Sequence, residues 1–239
     1  MKPSSELHVP LETGAVTLRQ AQGNPEQGRG ITALVYPADG RAAASLILAH
    51  GAGAGQMSAF IVAFARGIAA LGIDVITFDF PYITQKRRIP DRGPVLEACY
   101  LAVIEAVRRD IESARRFLFV GGKSMGGRIA TQVASGTPAA GLVLLGYPLH
   151  PPGRPAVMRA AHLPAIRRPM LFVQGSRDNF GTPSELNPIL AGLSPPPTLH
   201  VVAGGDHSLK VSRDPQAQAA VYDDVQRTIV RWIQSVIKN

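Results

Sequence analysis

Apolar residues in this chain gather into short unbroken runs, separated by longer stretches of helical period, with glycine or proline at most of the junctions. The runs at residues 44–49, 141–146 and 169–174 show no polar alternation, which suits strands buried on both faces, and 74–80, 117–120 and 198–202 read as further strands. Helical periodicity follows over 57–71, 95–115, the segment starting at Ile129, and 216–237. Upstream, residues 7–17 and 30–36 read as an antiparallel strand pair joined by a polar loop over 20–29. The pattern predicts a single α/β domain over 1–239, a doubly wound and mostly parallel sheet that opens with an antiparallel pair. Two connections break the rhythm. Residues 81–94 are basic and irregular, and the proline-punctuated stretch 147–168 has the length of a lid over a site at the strand ends.

Within this frame the run Phe117-Leu118-Phe119-Val120 leads through Gly121 into Gly122-Lys123-Ser124-Met125-Gly126, and then into a helix. A G-x-S-x-G pentapeptide between strand and helix is the pattern of a nucleophile elbow. The serine there is held in a strained turn, and the positions two before and two after it are crowded enough to need glycine.

A serine hydroxyl becomes a useful nucleophile only beside a base, and the base needs an acid to orient it. Asp178 follows the strand at 169–174, and His207 follows the last strand, so the chain order is Ser, Asp, His. Asp79, at the end of an earlier strand, and Asp206, next to the histidine, are the alternative acids; Asp206 is poorly placed to reach its own neighbour's ring. His8, His162 and His200 lie in a strand, the long connection and a strand, where packing or surface roles suffice. For the oxyanion the fold would supply the backbone N–H of Met125, and that of Ala52 in the glycine loop His50-Gly51-Ala52-Gly53-Ala54-Gly55. That loop does not fit G-x-G-x-x-G and lacks a P-loop lysine, so a dinucleotide or nucleotide cofactor is not expected. Lys123, Arg128, Tyr147 and His150 are candidates for substrate contacts. If Lys123, Arg128, His150 and Lys210 face the pocket rather than solvent, they favour a carboxylate or phosphate on the substrate.

Composition narrows the field further. The 239 residues carry a net charge of +8. The basic pairs, however, fall at helix ends and loops without interleaved aromatics, so nucleic-acid binding is not expected. Hydrophobic residues make up 46% of the chain and aromatics 6%, which implies an aliphatic core. No apolar stretch approaches a bilayer-spanning length, and residues 1–14 lack the apolar segment of a secretory signal. One cysteine, Cys99, cannot form an internal disulfide; it reads as core filler in a cytoplasmic protein. No cluster has metal-ligand spacing, so neither metal nor cofactor is implied.

With these residues assembled, the chain resembles the dienelactone-hydrolase-like branch of the α/β-hydrolases, especially the small bacterial hydrolases related to the testis-expressed protein 30 group. The pieces that carry the resemblance span most of the chain: His50-Gly51-Ala52-Gly53, the stretch from Gly121 to Arg128, Gly146-Tyr147-Pro148-Leu149-His150, Gly175-Ser176-Arg177-Asp178 and Gly205-Asp206-His207-Ser208. The resemblance implies an α/β-hydrolase fold with Ser124, Asp178 and His207 as a triad; the chemistry of those three residues points to a small ester, thioester or related acyl compound as the small-molecule substrate. It departs from the dienelactone hydrolases proper, whose nucleophile is cysteine. The wider group is also similar to a scaffolding subunit of a histone acetyltransferase complex. A fold that binds protein without catalysis is therefore the alternative expectation.

Overall fold

The computed structural model describes residues 5–10 and 30–238. Eight strands form one sheet: β1 (Ser5–Pro10), β2 (Gly30–Tyr36), β3 (Ser45–Ala49), β4 (Asp74–Phe78), β5 (Leu118–Lys123), β6 (Gly141–Leu145), β7 (Met170–Gly175) and β8 (Thr198–Val202), in the spatial order β1-β2-β4-β3-β5-β6-β7-β8. β1 pairs antiparallel with β2, and β2 antiparallel with β4; every later pairing is parallel. The first strand ends at Pro10, and the rest of the strand expected over 7–17, like the loop expected over 20–29, falls outside the described residues.

Alternate side chains of the central strands enter two separate cores, as the two-residue period of a strand requires. Ile47, Val120 and Leu144 join one core with Leu96 and Tyr100 of α3 (Gly93–Asp110) and Ile129 of α5 (Met125–Val133). Leu48, Phe119 and Val143 join the other with Phe64 of α1 (Ala59–Ala70) and Ile229 of α7 (Pro215–Lys238). Burial on both faces is why these strands read as continuous apolar runs.

Three elements depart from the sequence pattern. Residues 81–94 contain a short helix, α2 (Pro81–Thr84), started by a proline at its first position. The single helix expected over 95–115 breaks at Ile111, whose φ of −107° and ψ of 118° are extended, and resumes as α4 (Glu112–Arg116). The break lets the Ser113 hydroxyl reach the Asp74 carboxylate at 2.5 Å and the Ser45 hydroxyl at 2.6 Å, tying α4 to the starts of β3 and β4. Between β7 and β8 lies α6 (Pro183–Leu190), begun by a capping box in which Thr182 and Glu185 satisfy each other's backbone amides.

The chain runs from β3 to β4 on one side and then to β5 on the other. The carboxyl ends of β3 and β5 therefore flank a switch point, where open α/β sheets form their binding crevice.

Candidate active site

Ser124 stands directly after β5 with φ 51° and ψ −116°, a combination L-residues rarely adopt. Its surroundings over-determine that strain. Its amide donates to the Leu145 carbonyl of β6 at 2.9 Å, and its carbonyl accepts from the Arg128 amide at 3.0 Å as α5 begins. A Cβ at position 126 would meet the carbonyl oxygens of Ala49 and His50 at 2.6 Å, so only glycine lets α5 come this close to the end of β3.

Two other strand ends converge on the same hydroxyl. His207 Nε2 lies 2.8 Å from Ser124 Oγ, and its Nδ1 lies 2.9 and 2.8 Å from the two carboxylate oxygens of Asp178. Asp178 is 1% exposed. Its remaining lone pairs are met by Gln174 Nε2 at 2.8 Å and the Phe180 amide at 2.8 Å. Phe180 also stacks on the His207 ring, with centroids 4.0 Å apart and planes inclined by 26°. A buried carboxylate with this many donors is fixed in place, which orients the imidazole.

The alternative acids do other work. Asp206 accepts from the amides of Ser208 and Lys210, which shapes the loop that carries His207. Asp79 accepts from the Gln56 amide at 2.7 Å and stands 3.6 Å from His50 Nε2.

His50, which nothing in the sequence pattern sets apart from its glycine loop, is fully buried. The Phe80 amide donates to its Nε2 at 3.2 Å, so the proton resides on Nδ1, which donates to the Gly51 carbonyl at 2.8 Å. Burial holds its pKa below the ordinary histidine value, against smaller opposing effects of the Gly51 carbonyl and Asp79. His50 thereby pins the glycine loop. A Cβ at Gly51 would sit 3.5 Å from Ser124 Cβ, so Ala52 follows at the rim of the site. Among the described residues, the Ala52 and Met125 amides, the two expected oxyanion donors, donate to no other protein group.

A cleft of about 560 Å³ opens above the serine, lined by Ala52, Lys123, Ser124, Met125, Arg128 and His207, with Phe60, Ile61, Leu96 and Phe180 as apolar walls. Lys123 is half-buried, with Nζ 5.4 Å from the Phe60 ring centroid; burial lowers its pKa, while Asp178 and Asp206 pull it back up. Tyr147 and His150 do not line the cleft. Tyr147 is 1% exposed behind it, its hydroxyl donating to the Arg159 carbonyl at 2.7 Å and its pKa pushed up to about 12, chiefly by burial. His150 is buried, with Nδ1 2.9 Å from the Pro151 carbonyl and Nε2 3.2 Å from Glu185. Lys210 is exposed and also stands outside the lining.

Among the described residues, no group of three or more His, Cys, Asp or Glu is placed to hold a metal ion, and no helix is long and apolar enough to cross a membrane.

A parallel sheet with an antiparallel opening, a strained serine after β5 and a histidine after β8 define the fold of the α/β hydrolases. Residues 42–234 match the family described as alpha/beta hydrolase domain, and the chain belongs to that family. Solved structures share the fold at low identity. An alpha-beta serine hydrolase homologue from Coxiella burnetii superposes with a TM-score of 0.68 at 18% identity, covering 84% of this chain and 91% of its own. An α/β serine hydrolase without lid from Xanthomonas campestris gives 0.68 at 18%, covering 96% and 95%. The dienelactone hydrolase from Anabaena variabilis gives 0.67 at 17%, covering 93% and 95%.

Proposed function

We propose that this protein is a serine hydrolase that cleaves a small ester or thioester through an acyl-enzyme on Ser124. The reading is carried by one observation, the unbroken hydrogen-bonded line from Asp178 through His207 to Ser124 Oγ. Ser124 Oγ attacks the acyl carbonyl carbon while His207 Nε2 takes its proton. The carbonyl becomes an oxyanion, held by the N–H groups of Ala52 and Met125. Collapse expels the alkoxide or thiolate, which takes the proton from His207, and leaves the acyl group on Ser124. Water then attacks that ester with His207 as base, and return of the proton to Ser124 releases the acid. Asp178 stabilises the imidazolium that forms twice per cycle.

The buried, unpaired Cys99, whose thiol burial pushes well above its usual pKa, supports a reducing cytoplasmic setting and has no part in the chemistry.

Hydrolysis of p-nitrophenyl acetate and of its thioester analogue tests the proposal. Turnover is expected in the wild type. Ser124→Ala should lower kcat by about 10³-fold or more, and Asp178→Asn by a similar order, with thermal unfolding showing both variants folded. Equal turnover in wild type and Ser124→Ala would remove the serine from the mechanism.

A further inference from the structure

Arg128 and Arg159 enter the cleft from two different elements. Arg128 stands one turn along α5 from Ser124, its backbone fixed by the hydrogen bond to the Ser124 carbonyl. Arg159 belongs to the connection between β6 and β7. Its amide donates to the Leu149 carbonyl at 2.8 Å, and its own carbonyl accepts from Tyr147. Both side chains are half-buried, and both line the cleft that contains Ser124 and His207.

Among the described residues neither charge is paired with a carboxylate; the arginine–carboxylate pairs are made by Arg87, Arg109, Arg116 and Arg227. Asp91, the carboxylate in the cleft lining, has Oδ1 held by Arg87, and neither cleft arginine reaches its buried Oδ2. Lys123, by contrast, has Asp178 and Asp206 close enough to raise its pKa. Burial and then the charge of Arg128 hold both Arg159 and His162 below their ordinary pKa values. Two half-buried guanidinium groups that repel each other raise the free energy of the empty site, and an anion between them relieves it. The planar fork of arginine matches the oxygens of carboxylate and phosphate.

We infer that Arg128 and Arg159 form an anion subsite, and that the substrate carries a carboxylate or phosphate close to its scissile acyl bond. This rests on the acyl-transfer reading above and narrows it to anionic esters and thioesters. Tyr147 holds the backbone of Arg159, and His162 lies 2.8 Å from the Thr131 hydroxyl of α5, joining that helix to the connection that carries Arg159.

The test compares p-nitrophenyl butyrate with two charged esters: p-nitrophenyl hemisuccinate, with the carboxylate on the acyl side, and 4-carboxyphenyl butyrate, with it on the leaving group. The wild type should prefer one charged ester in kcat/KM, and which one reports the side that faces the arginines. Arg128→Gln and Arg159→Gln should each lower the ratio of charged to neutral kcat/KM about tenfold or more, and Arg128→Lys should recover part of it. No charge preference in the wild type, or equal losses on charged and neutral esters, overturns the inference. Calorimetry with glutarate and with inorganic phosphate tests the subsite without turnover. At least one should bind Ser124→Ala protein and bind about tenfold more weakly when Arg159→Gln is added. If no ester is hydrolysed yet arginine-dependent anion binding remains, the hydrolase reading fails and the subsite stands. If esters are cleaved and neither anion binds, the subsite fails alone.

Discussion

At the scale of single residues, the group that does most without touching Ser124 is Gln174. Fully buried at the end of β7, its side-chain oxygen accepts from the Tyr147 amide at 2.8 Å, and its nitrogen donates to Asp178 at 2.8 Å and to the Gly181 carbonyl at 2.7 Å. It joins the loops after β6 and β7 in one network, so removing it costs several hydrogen bonds at once. Gln174→Met keeps the volume but orphans the Tyr147 amide, with an expected loss of about 1–3 kcal/mol in urea unfolding. The freed carboxylate should also lower kcat more than it changes KM, because the orientation of His207 matters most in the transition state. Unchanged kcat in the folded variant would mean that Phe180 and His207 alone hold Asp178. Such partners show how far single residues were legible. Ser124, Asp178 and His207 stand out by type, order and flanking glycines. Gln174 and Phe180 look like ordinary strand and loop residues until the chain closes, since their partners lie up to 27 residues away.

At the scale of elements, the loop after β3 depends on a neutral histidine. His50 accepts from Phe80 and donates to Gly51, a pattern only the neutral ring can make, and aromatic edges of Phe80 and Tyr82 surround it. Its pKa is lowered in the folded state, so between that value and the ordinary histidine value near 6.5 the unfolded chain binds a proton that the folded chain does not. The stability this residue contributes is therefore complete above about pH 6.5 and is lost as the pH falls below it, with a slope of at most about 1.4 kcal/mol per pH unit. Urea unfolding between pH 7.5 and 5 should show a shallower decline for His50→Gln than for the wild type; identical slopes would contradict the assignment. Sequence pattern foresaw this loop and its glycines but not the histidine, because burial and tautomer arise only when β4 brings Phe80 beside it. The break at Ile111 escaped for a similar reason. Apolar periodicity runs through it, and the competing pull is the polar contact of Ser113 with Asp74 and Ser45. The helix α6 carries its start signal in the open, Thr182 with Glu185 three residues on, but only a short apolar pattern follows.

At the scale of the whole molecule, the winding of the chain sets the site. The crossing from β4 to β5 over β3 leaves a crevice at the strand ends, and β5, β7 and β8 each deliver one polar side chain to it. The doubly wound order was readable because buried parallel strands and amphipathic crossovers have different periods. The course of residues 147–168 was not, since proline and loop residues encode local turns without saying which strand end they cover. This stretch is anchored rather than loose at its second half, where Leu163 and Ile166 are buried in the core shared with α3 and α5. It brings Pro148 and Arg159 to the cleft while residues 152–158 stay exposed. If this convergence makes one hydroxyl reactive, that hydroxyl can be labelled covalently. A fluorophosphonate probe, followed by digestion and mass spectrometry, should place a single adduct on Ser124, lost in Ser124→Ala and strongly slowed in His207→Ala. Folded wild-type protein that takes no label, or carries it on another residue, would contradict the account.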